Sequence, residues 1–217
     1  MGLSVSRRAW TLHRSWRRSR LTTYPPLATS SDYTSLIGPL PAGVDVNQLC
    51  VDASARVRAY CGWHIAPSVS EVFTVNGSGL FRQFLPTMFI TDVASVTDSG
   101  VALDLTMVDW AAEGWLEWAQ YSPGYQRSYG WPGLFSRRPR GVVASITHGY
   151  PTVPGEVVAL VCSVVARQAA SPSGVVREQA GAVSAQYSQV APNVSGGLTL
   201  LASEMVALDS YRIPRHR

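Results

Sequence analysis

The chain has 217 residues, of which only 15% are charged, and its 18 basic residues are all arginine. Without lysine it cannot supply a P-loop lysine, a Schiff-base nucleophile or a lysine general base. The formal charge of +4 is unevenly distributed, because residues 1–31 and 210–217 contain arginine and no acid, whereas all 14 acidic residues lie between Asp32 and Asp209. We therefore expect a mildly acidic body whose basic ends meet something anionic.

The first 31 residues form a basic arm. The stretch RRAWTLHRSWRRSR, residues 7–20, holds six arginines and two tryptophans and no acid. Such a composition is compatible with a targeting leader, a nucleic-acid-binding arm or a docking peptide for a protein partner. The polar connector TTYPPLATSS follows, so the sequence predicts an arm over residues 1–31 and a domain over residues 32–217.

Helical spacing of apolar residues predicts a first helix over about residues 44–60, ended by Gly62. Three β-hairpins are then predicted. SEVFTV (70–75) and GLFRQFLP (79–86) flank the turn signal NGSG, and MFITDVASVT (88–97) and VALDLTMV (101–108) flank DSG. GWLEWAQY (114–121) and GVVASITHGY (141–150) form a third pair across a long loop.

The long loop, residues 121–140, interleaves aromatic residues with arginines. This mixture can stack bases and bind phosphates, and the same residue types are enriched in the cores of protein interfaces. In an acidic body we favour the protein interface. The residues concerned are Tyr121, Tyr125, Arg127, Tyr129, Trp131, Arg137, Arg138 and Arg140.

After the loop, the pattern predicts a long helix over about residues 154–170 that is buried on more than one side. An extended, hairpin-like segment, VVREQAGAVSAQYS, and a short helix over about residues 202–211 follow. The whole order predicts one α+β domain: an N-terminal helix, β-hairpins forming a small antiparallel sheet, a long buried helix and a short C-terminal helix.

Candidate catalytic and metal-binding residues are few. Cys61 and His64 have a metal-like spacing, but a zinc site needs three or four ligands, and His64 is better explained as a turn residue. His148 could be a general base, but no nucleophile or carboxylate is its neighbour in sequence, so we expect a strand-end residue bound to the following turn. We expect no enzymatic activity, no metal and no cofactor.

The cysteines and the hydropathy pattern bear on the compartment. None of Cys50, Cys61 and Cys162 forms a C-x-x-C motif, which is typical of free buried thiols in a reducing compartment. No apolar run reaches the roughly 18 residues needed to span a bilayer, so we expect no membrane contact.

Three segments, in a fixed order, carry a family resemblance. They are the helix end RAYCGWHIAPS (58–68), THGY (147–150) before the long helix, and SPSGVVREQAGAVSAQYS (171–188) ahead of the closing ALDSYRIPR (207–215). Together they resemble the head-to-tail adaptor (connector) proteins of tailed bacteriophages, of the siphovirus type that infects actinobacteria. The resemblance covers roughly residues 33–215. The sequence departs from the family in its long arm, in the long loop over residues 120–131, and in having Leu201 where relatives have a capping threonine.

The resemblance implies a virion structural protein without cofactor or catalytic residues. Such proteins form a ring, typically of roughly twelve copies, which docks on the portal, extends the DNA channel and carries the stopper or other tail-side proteins. It implies assembly in the bacterial cytoplasm, a place at the capsid–tail junction, and passage of double-stranded DNA without sequence recognition. The alternative is a nucleic-acid-binding module that uses the arm and the 121–140 loop.

With the resemblance, we interpret the arm as a docking peptide in which Trp10 and Trp16 are buried anchors. The loop over residues 121–140 then becomes an inter-subunit or tail-side surface. The residues expected to dock on the portal or on a neighbouring subunit are Arg7, Arg8, Trp10, Arg14, Trp16, Arg17, Arg18, Arg20, Tyr211, Arg212 and Arg215.

Overall fold

The computed structural model of the chain describes residues 24–118, 134–170, 177–180, 183–186 and 199–214, with only the backbone described between 177 and 186. The fold is α+β, as predicted. The described helices are α1 (Ser30–Leu36), α2 (Val46–Cys61), α3 (Gly155–Ala170) and α4 (Ala202–Leu208), and α4 continues into a 3-10 turn over Asp209–Tyr211.

The described strands form antiparallel sheets. The four-stranded sheet has the order β1-β7-β3-β4, the three-stranded sheet the order β2-β6-β5, and β8 pairs with β9 alone. The strands are β1 (Val69–Val75), β2 (Arg82–Phe84), β3 (Ile90–Asp98), β4 (Val101–Ala102), β5 (Val108–Ala111), β6 (Trp115–Trp118), β7 (Val142–His148), β8 (Arg177–Ala180) and β9 (Val183–Gln186).

Local signals account for the helix ends. Asp45 accepts a hydrogen bond from the backbone N–H of Gln48 at the start of α2, and Gly62 ends that helix in the left-handed conformation, with φ of 87°. Helix α1 is not among the predicted elements, although Thr29 and Asp32 form a capping box at its start.

Helices α3 and α4 are joined by a nearly buried ion pair. Arg167 binds both carboxylate oxygens of Glu204, at 2.7 and 3.1 Å, and the two side chains are only 9% and 11% exposed. Glu204 also accepts from the backbone N–H of Leu201 at 2.8 Å. Glu204 thus binds the backbone N–H of the N-cap residue, whereas Leu201 has no side-chain oxygen for the first N–H groups of α4.

Two of the predicted hairpin pairings are wrong. Strand β1 pairs with β7 and not with β2, and β2 pairs with β6. The predicted partnership of β6 with β7 also fails, because β6 lies between β2 and β5 and β7 lies between β1 and β3. The inward face of β7 is fully buried at Val142, Ala144, Ile146 and His148. A strand buried in this way belongs at the centre of a sheet, where its backbone hydrogen-bonds to a strand on each side.

The hairpin around DSG is confirmed at its turn. Thr97 and Asp98 pair with Ala102 and Val101, and Ser99 and Gly100 both have positive φ, as a two-residue hairpin turn requires. The pairing ends there, because β4 has only two residues and the chain leaves for the other sheet.

The buried core has two clusters. One lies between α2 and α3 and includes all three cysteines, which are free and buried. The second lies between the two larger sheets. It contains Leu85, Ile90, Val93, Val96, Val108, Leu116, Phe135, Val142, Ala144 and Ile146.

The connector expected over residues 22–31 is packed structure from Tyr24 onward. Leu27 and Ala28 belong to the helical core cluster, and the backbone N–H of Leu27 donates to the Ser54 hydroxyl at 2.8 Å. Two prolines and several hydroxyl residues gave this segment the composition of a linker, but its two apolar side chains fill the core.

Candidate functional site

The structure describes only part of the predicted docking and loop residues. It describes Tyr211, Arg212, Arg137, Arg138 and Arg140. For the others the predicted roles stay predictions. Outside the described residues lie Arg7, Arg8, Trp10, Arg14, Trp16, Arg17, Arg18 and Arg20 of the arm, Tyr121, Tyr125, Arg127, Tyr129 and Trp131 of the loop, and Arg215.

The closing segment, residues 209–214, is fixed on the end of α2. The indole Nε1 of Trp63 donates to the Tyr211 carbonyl at 2.6 Å, and the backbone N–H of Ile213 donates to the Cys61 carbonyl at 2.9 Å. The Tyr211 hydroxyl donates to Glu156 at the start of α3, at 3.3 Å. Burial and then the charge of Glu156 raise the pKa of Tyr211. Tyr211 thus connects three helices.

Arg212 is also engaged within the chain. Its guanidinium lies 4.7 Å from the centre of the Tyr60 ring, and its Nη1 binds the Tyr60 hydroxyl at 3.2 Å and Asp209 at 3.5 Å. Its side chain is 23% exposed. Tyr211 and Arg212 therefore hold the closing segment in place, a role that the sequence pattern does not predict, and their docking role stays a prediction.

Residues 136–140, which we call the arginine turn, are bound to the NGSG turn. The backbone N–H of Gly77 donates to the Arg138 carbonyl at 3.0 Å, and that of Arg140 donates to the Asn76 side chain at 2.8 Å. A Cβ on Gly77 would lie 1.9 Å from the Ser136 carbonyl oxygen, so only glycine fits there. The NGSG motif thus serves as a docking surface for the arginine turn and not as a hairpin turn.

The arginine turn is an exposed basic surface on a fixed backbone. Arg137, Arg138 and Arg140 are all exposed. Asp98 accepts from the backbone N–H of Ser136 at 2.7 Å, which anchors the turn to the end of β3. Of the predicted loop residues, these three are the ones that the structure brings together.

An exposed apolar pair lies beside the two ends of the loop. The backbone N–H of Trp118 donates to the Phe81 carbonyl at 3.1 Å, and that of Phe135 donates to the Leu80 carbonyl at 3.0 Å. Leu80 and Phe81 are 60% and 59% exposed. The chain before and after residues 119–133 is therefore hydrogen-bonded to Leu80 and Phe81. The sequence pattern predicted these two residues only as part of a strand.

The described residues also form a polar cluster that sequence reasoning missed, which we call the histidine cluster. His148 Nδ1 lies 3.0 Å from the Thr87 hydroxyl and Nε2 lies 3.3 Å from Glu71. Tyr24 donates to the same carboxylate at 3.2 Å, and the His64 ring packs edge-on against that of His148, with centroids 4.4 Å apart. The expected bond from His148 to the following turn is replaced by these contacts across the sheet.

Burial sets the protonation of both histidines. It lowers the pKa of His148 from 6.5 to about 4. The pKa of His64 is also lowered to about 4, first by burial and then by the proximity of His148. The His148–Glu71 pair has the composition of an acid–base unit, but His148 is 1% exposed, so a substrate cannot reach its imidazole in this structure.

Arg58 attaches the N-terminal segment to the same corner of the fold. Its Nε donates to the His64 carbonyl at 2.8 Å, and one Nη donates to the carbonyls of Pro25 and Ala66 at 2.7 and 3.0 Å. The first described residue, Tyr24, stacks on His64 with ring centroids 4.6 Å apart. The chain preceding Tyr24 therefore starts from a fixed point beside β1.

Neither a metal centre nor a membrane span is seen in the described part of the chain. No group of three or more histidine, cysteine, aspartate or glutamate side chains there could hold a metal ion. No helix among the described residues is long and apolar enough to cross a bilayer.

Comparison with known proteins gives matches among solved structures alone. No protein-family model matches the chain, and no curated protein matches it. Among solved structures, the chain is similar to one from the neck of an empty GTA particle computed with C6 symmetry, with 16% sequence identity and a TM-score of 0.43, over 89% of this chain and 91% of that one.

Proposed function

We propose that this chain is a virion structural protein, a head-to-tail adaptor of the type found in siphoviruses of actinobacteria. In this role, copies of the chain assemble in the host cytoplasm into a ring of roughly twelve. The ring docks on the portal, extends the DNA channel and carries the stopper or other tail-side proteins at the capsid–tail junction. The role needs no cofactor and no enzymatic activity.

The observation that carries the proposal is the meeting of three of the segments that resemble the adaptor family: the helix-end motif RAYCGWHIAPS, THGY and the closing ALDSYRIPR. Tyr150 of THGY donates its backbone N–H to the Ile65 carbonyl of the helix-end motif at 2.8 Å. The Tyr150 ring also lies 6.1 Å from Trp63 and 6.0 Å from Tyr211 of the closing motif. Motifs that are far apart in sequence thus share one packed junction, which supports interpreting them as the structural signature of a family.

The charge distribution is compatible with a conduit for DNA. The span from Asp32 to Asp209 contains all 14 acidic residues and only nine arginines. A net acidic wall lets a duplex slide, whereas a wall of arginines would bind it through counterion release. The basic arm and tail are then available for docking.

Deletion of the gene in the phage that encodes it tests the proposal. We expect packaged heads without tails, or heads that lose their DNA, with restoration by the wild-type gene in trans. Negative-stain images of the purified chain, alone and with the portal, should show rings. Stable infectious particles from the deletion strain would contradict the proposal.

The second candidate, a nucleic-acid-binding module, is favoured by one observation: the exposed arginine turn on its fixed backbone. It predicts duplex binding that weakens steeply as salt rises. A fluorescence anisotropy titration at low salt decides it. Binding that is lost on removal of residues 1–20 or on neutralisation of Arg137, Arg138 and Arg140 would favour this candidate over the adaptor.

A further inference from the structure

Strand β1 is a long sheet edge. Among the described residues it pairs only with β7, in seven consecutive antiparallel positions from Val69 to Val75 without a register shift. Along such an edge, alternate residues direct their backbone N–H and C=O groups away from the sheet. These groups can receive another strand.

The edge lacks most of the features by which proteins block unwanted pairing. Lysine, proline, bulges and inward-pointing charges usually protect an exposed edge. Strand β1 contains no basic residue, no proline and no bulge. Its one inward-pointing charge, Glu71, is bound to His148 and Tyr24 on the face opposite to Val72. On the outer face Ser70, Val72 and Thr74 are exposed, with Val72 at 55%.

The other described edges differ from β1. The opposite edge of the same sheet is β4, which has two residues, and β3 beside it has two register irregularities. In the three-stranded sheet, the edge strand β2 has three residues, including Arg82, and β5 has four, including Asp109. An edge as long and as weakly charged as β1 is the one to expect in a contact.

The same chain supplies a candidate partner for this edge, the hairpin of β8 and β9. Strands β8 and β9 pair only with each other among the described residues, and an isolated two-stranded hairpin is marginally stable in water. Strand β9, VSAQ, contains no charge and no proline, whereas β8 begins with Arg177 and Glu178. The composition of β9 therefore matches the nearly uncharged edge of β1.

We propose that the β8–β9 hairpin of one copy pairs with the β1 edge of the next copy. The inference rests on the proposed ring. Closed rings use heterologous interfaces, in which one surface of a subunit binds a different surface of its neighbour. A hairpin donor and an edge acceptor on the same chain form such a pair. Backbone pairing supplies the affinity without a large apolar patch, as in other cases of strand addition.

Cysteine cross-linking tests the pairing in the full-length chain. Val72→Cys marks the edge, and Ser184→Cys and Ala185→Cys mark the two faces of β9. Neighbouring strands bring Cα atoms to about 4.5–5.5 Å, within the range for a disulfide. The native thiols are buried, and burial raises the pKa of Cys61 to about 12, so they will not compete.

A mixture of the edge variant with one of the hairpin variants should give a disulfide-linked dimer under mild oxidation. Each variant alone should give none. A dimer from Val72→Cys alone would mean that two β1 edges pair with each other. Cross-linking of Val72→Cys to Thr22→Cys would mean that the arm binds the β1 edge. If a chain that carries both the edge and the hairpin cysteine forms the disulfide only within itself, the contact is intramolecular. Each of these results would overturn the proposal.

A matched pair of charge substitutions gives a second test. Val72 and Ser95 lie in one cross-strand row, since both are opposite Ser145, and both are exposed. Val72 is on the β1 edge, whereas Ser95 is on β3, on the other side of β7. In this test the edge marker is Thr74→Cys, and the hairpin marker is Ser184→Cys or Ala185→Cys. Adding Val72→Lys to the edge variant should abolish the mixed disulfide. Adding Ser95→Lys to the edge variant should leave the disulfide unchanged. Equal effects of the two substitutions would overturn the proposal.

The outcome also separates this inference from the adaptor role. If the wild-type chain forms rings and no mixture gives the disulfide, the pairing is wrong while the ring stands. If the disulfide forms but no closed ring is seen with or without the portal, the pairing stands and the adaptor role fails. If neither is observed, both are wrong.

Discussion

The indole N–H of Trp63 donates a 2.6 Å hydrogen bond to the backbone carbonyl of Tyr211, 148 positions further along the chain. Trp63 is buried in the helical core cluster, and Tyr211 belongs to the closing segment. This bond therefore joins the end of α2 to the closing segment of the domain.

Replacing Trp63 with phenylalanine keeps an aromatic side chain but removes the donor. We expect the free energy of unfolding to fall by about 1–3 kcal/mol, because the Tyr211 carbonyl loses its partner in a partly buried site. Urea unfolding measures the change. Trp110→Phe, at an exposed position, is the control and should stay within about 0.5 kcal/mol of the wild type. Equal losses in the two variants would contradict the assignment.

The Arg167–Glu204 pair should contribute far more to stability than the Arg82–Glu117 pair. Removing one partner of a nearly buried pair leaves an uncompensated charge, so Arg167→Met should cost about 3–5 kcal/mol. Arg82 and Glu117 are as close, at 2.6 Å, but are 55% and 35% exposed, and Arg82→Met should cost about 1 kcal/mol or less. Chemical denaturation of both variants compares them, and a similar cost for each would show that burial does not decide the difference.

The histidine cluster predicts acid-sensitive stability. The unfolded chain binds protons at its histidines near pH 6.5, whereas folded His64 and His148 do so only at about pH 4. Since the unfolded state binds more protons between these values, the free energy of unfolding falls as the pH drops from about 6.5 towards 4. The slope should approach about 1.4 kcal/mol per pH unit for each histidine.

Unfolding curves between pH 8 and pH 4 measure this effect. His148→Gln should be less stable than the wild type at pH 7 but should show a shallower decline on acidification. If His148→Gln loses stability with falling pH as steeply as the wild type, the acid sensitivity comes from carboxylates and not from the histidine cluster.

Gly77 should be intolerant of any side chain. Its Cβ would overlap the Ser136 carbonyl, so Gly77→Ala must displace the arginine turn from the NGSG turn. We expect a loss of about 1–3 kcal/mol, as for other overpacked sites. Gly155→Ala is the control, because nothing lies within 4 Å of its Cβ position and alanine favours the helix that begins there. Thermal unfolding should rank Gly77→Ala below the wild type and Gly155→Ala at or above it.

The basic arm should act through its tryptophans. If it is a docking peptide, replacing Trp10 and Trp16 with alanine removes two anchors and should impair particle assembly more than neutralising two arginines does. Complementation of the deletion strain with each variant measures assembly. If neutralising two arginines impairs assembly more than replacing the two tryptophans does, the arm is better explained as a nucleic-acid-binding segment.

The sequence alone predicted the elements that local pattern defines. Helix α2 matched the apolar spacing that includes Val46, Cys50, Ala53 and Val57, and Gly62 ended it as expected. The α+β class followed from the order of the elements. The motif Thr29-x-x-Asp32 could also have revealed α1, since a capping box is visible in sequence.

Only the tertiary structure decided which strands meet. Strand β1 pairs across most of the domain with β7, and the NGSG turn binds the arginine turn instead of closing a hairpin. This pairing is also what brings Glu71 to His148, a contact invisible when each residue is considered with its neighbours in sequence. Helix periodicity repeats within a few residues and is encoded locally. Strand partners are chosen by the fit of distant inward faces to one shared core, and that choice is made only when the whole chain packs.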